Sequence, residues 1–343
     1  MDIDDEVDLD PILDLFISFI ERWEDVQLDL VGPLCGSISS IHLLRAPLLR
    51  RFEVHFYPKA DDLIDPLLSM LSTSPHLTEF GSYDTCDAEV PIAEFVLPWS
   101  QLTRFETDHY LEVGECFKVL CLCPNLVDCT FDAVATFGEP PPPIPHDVLI
   151  VRQHVHALTL ATRDDNLYKF FDHLTLPALS ALTLFSGDDW RHVSFEAFIS
   201  RSGCSLKTIK LHITVSTDQL IVLLSLLPTL REFYIEGSEF DPLGNAFFNS
   251  LTYNETAKEL CLCPALEVIT LGGFIVPSNG MLAKMLKSRY YLGRSKSRRV
   301  ACLQRVSVML DVCRHGYDER VAYCKELKKI RKKGLDVTVD CYI

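Results

Sequence analysis

One short template recurs along the 343 residues: a leucine, two variable residues, an apolar residue, one variable residue and a second apolar one. It reads PLLRRFEV at Pro47, PHLTEFGS at Pro75, SQLTRFET at Ser100, PNLVDCTF at Pro124 and PALSALTL at Pro177. It returns as CSLKTIKL at Cys204, PTLREFYI at Pro228, PALEVITL at Pro264 and ACLQRVSV at Ala301, with looser copies starting at Trp23 and Val155. The copies begin at 23, 49, 77, 102, 126, 155, 179, 206, 230, 266 and 303, spaced 24 to 29 residues apart up to 230 and then 36 and 37. Self-similarity at such a period outranks other local signals, because each copy is one small unit that buries its apolar face only by stacking on its neighbours.

The alternating half of the template is the pattern of a strand with one buried face. Helical stretches lie between copies: DDLIDPLLSMLS (61–72), VGECFKVLCL (113–122) and TDQLIVLLSLL (217–227), the last capped by Thr217 or Asp218 with leucines at helical spacing. One strand and one helix per period predicts an α/β leucine-rich-repeat solenoid, curved, with a parallel sheet on its concave face. A doubly wound α/β domain is the alternative that also alternates strands and helices. The expected layout is an acidic segment and first helix over 1–20, then about 11 irregular repeats over 21–343 that close with a basic capping region at 284–343.

The stretch LCLCP occurs twice, ending in Pro124 and Pro264. A four-thiolate zinc site needs convergent pairs, usually Cys-x2-Cys. Here the spacing is Cys-x-Cys, and both copies fall at the same helix-to-strand joint of the repeat, so structural thiols are expected and no metal. The 13 cysteines are odd in number and lie mostly in apolar runs, and the acidic N-terminus MDIDDEVDLD is unlike a secretory signal. Reduced thiols in the cytoplasm or nucleus are the expectation. No apolar run approaches the length of a membrane span, and no membrane contact is expected.

The formal net charge of −16 is unevenly spread. Residues 1–283 hold 16 Lys/Arg against 42 Asp/Glu, whereas 284–343 hold 16 against 6. An acidic body disfavours nucleic acid, whose phosphates need dense positive charge. The basic run KELKKIRKK (325–333) is expected to continue a terminal helix from Asp318, to stop at Gly334 as C-cap and to precede a closing strand, LDVTVDCYI. RYYLGRSKSRR (289–299) reads as a polar insertion, EPPPPIP (139–145) as a stiff exposed loop, and Leu271-Gly272-Gly273-Phe274 as a turn.

Catalytic signatures are missing: there is no Gly-x-Gly-x-x-Gly, no phosphate-binding Gly-Lys-Ser/Thr loop, no His-Glu-x-x-His and no Gly-x-Ser-x-Gly. His154 and His156 share one side of an extended segment but have no ligand cluster tied to them. Neither enzyme activity nor a cofactor is expected. The surface left for function is the solvent side of the strands, where residues between the buried apolar pair project. That predicts partner contacts at Arg51, Glu53 and His55, at Arg104, Glu106 and Asp108, and at Asp128, Thr130 and Asp132. Toward the C-terminus it predicts Thr208, Lys210 and His212, then Glu232, Tyr234 and Glu236. Between them Ala157, Thr159, Ala161, Ala181, Thr183 and Phe185 are small or apolar. A mostly acidic rim around a less polar centre suits a protein partner carrying basic residues.

The segments LCLCPNLVDCTF, DHLTLPALSALTLFSG, SFEAFISRSGCSLKTIKL and LLSLLPTLREFYI resemble the leucine-rich-repeat region of F-box-like proteins of mushroom-forming fungi. The resemblance runs from about Ile12 to Val339 and implies a non-enzymatic substrate-binding scaffold of a cullin-RING ubiquitin ligase. In that family an N-terminal F-box docks on a Skp-type adaptor. DPILDLFISFI (10–20) resembles only the start of one, so an adaptor contact is expected only where an F-box is supplied elsewhere. The alternative is a stand-alone interaction or structural protein with the same repeats.

Overall fold

The computed structural model describes residues 10–30, 41–56, 61–84, 92–135, 149–163, 167–237, 243–254, 261–273, 275, 280–291, 300–311, 325 and 327–342. The Pro-rich segment 139–145 and the stretches 292–299 and 312–324 lie outside them.

Every copy of the template forms a strand: β1 (Asp25–Leu30), β2 (Arg51–Phe56), β3 (Glu79–Asp84), β4 (Arg104–Thr107) and β5 (Asp128–Val134). After a two-residue strand β6 (Ile150–Val151) comes β7 (Ala157–Thr162). A second two-residue strand, β8 (Leu174–Thr175), precedes β9 (Ala181–Asp189), β10 (Thr208–Thr214), β11 (Glu232–Gly237), β12 (Val268–Gly273) and β13 (Arg305–Asp311). The expected closing strand is β14 (Asp336–Tyr342). The fold is α/β, and its main sheet has 12 strands whose spatial order is their chain order.

Helices or short 3-10 turns cross between strands. They include α1 (Asp10–Ile17), α2 (Asp61–Ser72), α3 (Val113–Leu122), α4 (Leu167–His173), α5 (His192–Ser202), α6 (Thr217–Ser225), α7 (Asn245–Leu251) and α8 (Met281–Tyr291). The chain divides into two compact units, 1–155 with 159–161, and 156–158 with 162–343. In the first, β1 to β5 pair in parallel, each with the next. In the second, β9 to β14 do the same.

The template has a hydrogen-bond counterpart that explains its constancy. The leucine closes a turn whose first carbonyl lies three residues back, as in Leu77 to Ser74 (3.4 Å), Leu126 to Cys123 (3.4 Å), Leu230 to Leu227 (3.2 Å) and Leu266 to Cys263 (3.1 Å). Proline occupies the second position of each of these turns, where its fixed φ fits and its missing N–H costs nothing. The residue after the leucine then offers its carbonyl to two N–H groups of the next repeat. Arg50 O accepts from Thr78 and Glu79, Thr103 O from Val127 and Asp128, Lys207 O from Arg231 and Glu232, and Glu267 O from Gln304 and Arg305 (2.8–3.3 Å). Neighbouring repeats are thereby locked in one register.

This turn answers the LCLCP question. Cys123 and Cys263 hold the first turn position, the slot filled by Ser74 and Leu227 in other repeats, and all four are at most 2% exposed. Burial raises both thiols to about 12, the behaviour of small core residues rather than ligands. Not all thiols follow that pattern: Cys121 is exposed, and Cys204, Cys261 and Cys302 are half-buried.

Three further expectations need correction. Helix α6 is capped by Ser216 instead of Thr217 or Asp218; Ser216 accepts from Gln219 N while Gln219 Oε1 accepts from Ser216 N. The reciprocal pair satisfies two N–H groups at once, which a cap one residue later could not do. Gly272 and Gly273 continue strand β12 and pair with Glu236 and Gly237, so they form no turn. Arg289, read as the start of a polar insertion, belongs to α8 and is fully buried. Its guanidinium donates to the carbonyls of Leu251 (2.6 Å), Cys263 (3.0 Å) and Leu262, and lies 3.3 Å from Cys261 Sγ.

Two other arginines do similar work. Arg201 donates to Leu174 O (2.7 Å) and Phe171 O behind α4, and Arg152 donates to Leu120 O near the end of α3. Each supplies donors to carbonyls that a helix end leaves without partners. At the C-terminus, residues 327–331 are helical, with Leu327 and Ile330 buried and Lys328, Lys329 and Arg331 exposed. Gly334 stops this helix at φ 99°, as expected of a C-cap.

Candidate functional site

Along each strand the template's apolar pair is buried and the residues beside it are not. In β2, Phe52 and Val54 are buried while Arg51, Glu53 and His55 are half-exposed; in β10, Ile209 and Leu211 are buried while Thr208 and His212 are half-exposed and Lys210 is exposed. Arg104, Glu106, Asp108, Asp128, Thr130 and Tyr234 are likewise half-exposed, and Asp132, Glu232 and Glu236 are exposed. Parallel pairing, in register apart from a shift between Ile213 and Thr214 at the end of the β9–β10 pair, then stacks equivalent residues into rows across each unit.

In the first unit the leading row is Asp25–Arg51–Glu79–Arg104–Asp128, alternating in charge from strand to strand. The second row is Gln27–Glu53–Gly81–Glu106–Thr130, and the third begins Asp29–His55–Tyr83. The arginines turn along their own strands: Arg51 Nε donates to Glu53 Oε1 at 3.0 Å and Arg104 Nη2 to Glu106 Oε2 at 3.1 Å. Gly81 leaves a hollow of about 160 Å3, open solvent included, floored by Phe80 and walled by these two ion pairs and Glu79. A Cβ there would meet Glu53 Cγ at 3.0 Å and the Tyr83 ring at 3.1 Å, so any other residue requires those side chains to give way by a few tenths of an ångström.

Tyr83 lies beside Gly81. Its ring stacks on His55 at 4.5 Å. Burial raises its pKa, and the carboxylates of Glu106, to which it is hydrogen-bonded, and Glu53 raise it further. Negative charge exceeds positive here: Asp25, Asp29, Glu53, Glu79, Glu106, Asp108, Asp128 and Asp132 face two arginines. The excess is felt locally. Burial lifts the Asp128 carboxyl despite the opposing Arg104, and burial followed by Glu106 and Asp108 lifts Asp132.

The second unit presents a different face. Its leading row is Ala181–Thr208–Glu232–Val268–Arg305–Asp336, closed by an Arg305–Asp336 pair at 3.3 Å. The next is Thr183–Lys210–Tyr234–Thr270–Ser307–Thr338, nearly free of charge. Above it His212 stacks on Phe185 (4.3 Å) and lies tilted against Tyr234 (4.6 Å), with Nδ1 3.4 Å from Glu236 Oε2. The structure therefore gathers the first nine predicted residues on one face and the last six on another, and places the acid in the first unit.

Sequence reading named nine residues of the first face but missed Asp25, Asp29, Glu79, Gly81 and Tyr83. Their signal was in the column two residues after each leading template position, which reads Asp, Arg, Glu, Arg, Asp down successive copies. A buried Ser82–His109 pair (Oγ to Nε2, 2.7 Å) lies beneath this face, 0% and 2% exposed, where no substrate reaches its hydroxyl. Among the described residues no group of three or more His, Cys, Asp or Glu is placed to hold a metal. Among them also no helix is long and apolar enough to cross a membrane. Compared with known proteins, the chain matches no family model and no curated sequence.

Proposed function

We propose that the chain is a non-enzymatic recognition scaffold of the leucine-rich-repeat kind, holding a protein partner against the open face of its sheet. What carries the reading is the face of the first unit, where in-register rows display six carboxylates, with Asp108 and Asp132 beside them, against two arginines on a backbone fixed by the inter-repeat hydrogen bonds. Side chains on this face are not needed by the core beneath, and their charge selects a partner by sign. The partner is a segment bearing lysine or arginine. Similarity to fungal F-box-like repeats extends the reading to substrate presentation by a cullin-RING ligase, in the cytoplasm or nucleus.

Binding of basic, neutral and acidic peptide libraries to the full chain tests the first part. Basic peptides are expected to be retained at low salt and released as salt rises. The paired change Glu106→Lys and Asp132→Lys is expected to cost about tenfold in affinity, the loss of one or two charge-assisted contacts. Equal retention of all three libraries would sink the reading. Co-purification with a Skp-type adaptor tests the extension. Adaptor-free chain that still selects basic peptides corresponds to a stand-alone interaction protein.

A further inference from the structure

The helices that lead into β13 and β14 carry a charge opposite to that of the rest of the chain. On α8 the exposed described side chains are lysines only, Lys284 and Lys287. On the last helix, at 327–331, and its flanks they are again all cationic, while Leu327 and Ile330 are buried. Lys325, Lys328, Lys329 and Lys332 fall at i, i+3, i+4 and i+7, which is one face of a helix and a stripe about 10 Å long. Glu326, the one acid of this run in sequence, lies outside the described residues. Among the described residues none of these lysines enters an ion pair. A helix end attracts cations to its last carbonyls, which accounts for Arg331, Lys332 and Lys333. It does not account for Lys325, or for Lys284 in the first turn of α8, where the helix field disfavours a cation.

The two helices are fastened to each other. Tyr290, in the last turn of α8, donates its hydroxyl to Lys333 O (3.0 Å). Gly334 follows at φ 99°, where a Cβ would meet the same hydroxyl at 2.9 Å. The strands they lead into, β13 and β14, pair directly. A fixed patch of one sign, not neutralised by its surroundings, calls for an occupant of the other sign. The chain itself displays one. Residues 1–283 hold 16 Lys/Arg against 42 Asp/Glu, and the first unit gathers an excess of carboxylates on the open face of its sheet. Asp25, Glu79 and Asp128 stand on alternate strands of the leading row, as do Glu53 and Glu106 in the second. Alternate strands are about 10 Å apart, which matches the length of the lysine stripe.

We infer that the occupant is a second copy of this chain: the lysine-bearing helices of one copy dock on the acidic sheet face of the first unit of another. The inference rests on the reading of that face as a receptor for basic segments. Each copy carries a net charge of −16, which alone would keep copies apart. At about 0.1 M salt, however, the Debye length is ~10 Å, so the signs of the two surfaces in contact outweigh the net charge. Lysine stems are long enough to adjust each ammonium to a nearby carboxylate. An extended polyanion such as a lipid surface or RNA has the right sign for the helices but repels the acidic remainder of the chain over its whole length. A second copy offers its acid on one confined face. The contact uses different surfaces on the two copies, so it is heterologous and adds copies head to tail. Its charges are exposed, which makes it weak, reversible and sensitive to salt.

Sedimentation of the full chain over a range of concentrations tests this. In about 0.1 M NaCl the average mass is expected to rise above that of one chain, and in about 0.5 M NaCl to return to it. The double change Lys328→Glu and Lys332→Glu is expected to weaken association about tenfold or more, and so is Glu106→Lys with Asp132→Lys. Each of these variants keeps the surface that the other has lost. Mixed, they are expected to form a one-to-one complex and nothing larger. Thermal unfolding controls for folding, and Lys325→Glu with Lys329→Glu replaces the first variant if it unfolds. A chain that stays single at every concentration overturns the inference; if it still retains basic peptides, the receptor reading stands without it. Association unchanged by Lys328→Glu and Lys332→Glu overturns it as well, and so do mixed variants that stay apart. A single chain that binds phosphatidylserine vesicles or RNA, and loses that binding with the two lysines, overturns it in favour of a polyanion. Variants that pair when mixed, in a chain that does not select basic peptides, uphold the contact and confine the failure to the peptide reading.

Discussion

Replacing Arg289 by leucine would leave the carbonyls of Leu251, Leu262 and Cys263 without the donor that now reaches all three. Burial depresses the pKa of this guanidinium, yet no carboxylate is needed beside it, because backbone oxygens supply its acceptors. The expected cost is about 3 kcal/mol, read as a lower urea midpoint, since each stranded buried acceptor carries its own desolvation penalty. Arg289→Lys is expected to recover only part of it, because an ammonium cannot fork to three separated oxygens. Asp132 shows the opposite case of a side chain that costs stability. Its carboxyl is raised from the ordinary 3.8 by burial, then by Glu106 and Asp108. Between 3.8 and the raised value the folded chain binds more proton than the unfolded one, so stability falls as pH rises through that window. Asp132→Asn is therefore expected to raise the melting temperature at pH 7. The gain is on the order of a few tenths of a kcal/mol, because the carboxylate, though crowded by its neighbours, still reaches solvent and is screened, and it disappears below the ordinary value of 3.8.

Helix α6 shows at the scale of one element what local sequence determines and what it leaves open. Leu220, Leu223 and Leu224 sit at helical spacing and are fully buried, so the body of the helix was legible from its pattern. Its start was not, because Ser216, Thr217 and Asp218 are all good caps, and the choice falls to whichever also pairs with a Gln or Glu three residues on. Gln219 selects Ser216. Ser216→Ala is expected to lower stability by about 1 kcal/mol, measured by thermal or urea unfolding, with Thr217→Ala near neutral. The strands were legible for the same reason as the helix body, since period-2 burial is written into each copy of the template. Among the exceptions, polar at positions where other strands carry an apolar side chain, are Ser82 and Thr107. They are buried because His109 links them: Ser82 Oγ lies 2.7 Å from its ring and Thr107 Oγ1 accepts from its backbone N–H at 3.2 Å. Such a link joins residues from different repeats, and no pattern within one copy reveals it. Arg289 was misread for a similar reason, because its acceptors lie 26 to 38 residues away in sequence.

Over the whole chain, stability is built from links between consecutive repeats, and the same links decide how a local change spreads. Within the second unit β9 to β14 each pair with their chain neighbours, and the shared carbonyls of Ser180, Lys207, Arg231 and Glu267 repeat the bond from one strand to the next. An array of this kind approximates a one-dimensional sum of unit and nearest-neighbour terms, so damage decays with distance along the stack. Arg289 sits at the joint between α7 and the repeat that opens with Pro264, so its loss strikes the β12 end of the unit first. Native-state hydrogen exchange of Arg289→Leu is expected to show protection falling most in β12 and β13, less in β11, and least in β9 and β10. A single cooperative core would instead lower the protection of all these strands by one common amount. The gradient matters for the exposed rows, because in-register rows keep their spacing only while neighbouring joints hold. A change buried in one turn can therefore loosen an exposed row locally and leave the rest of that row in place.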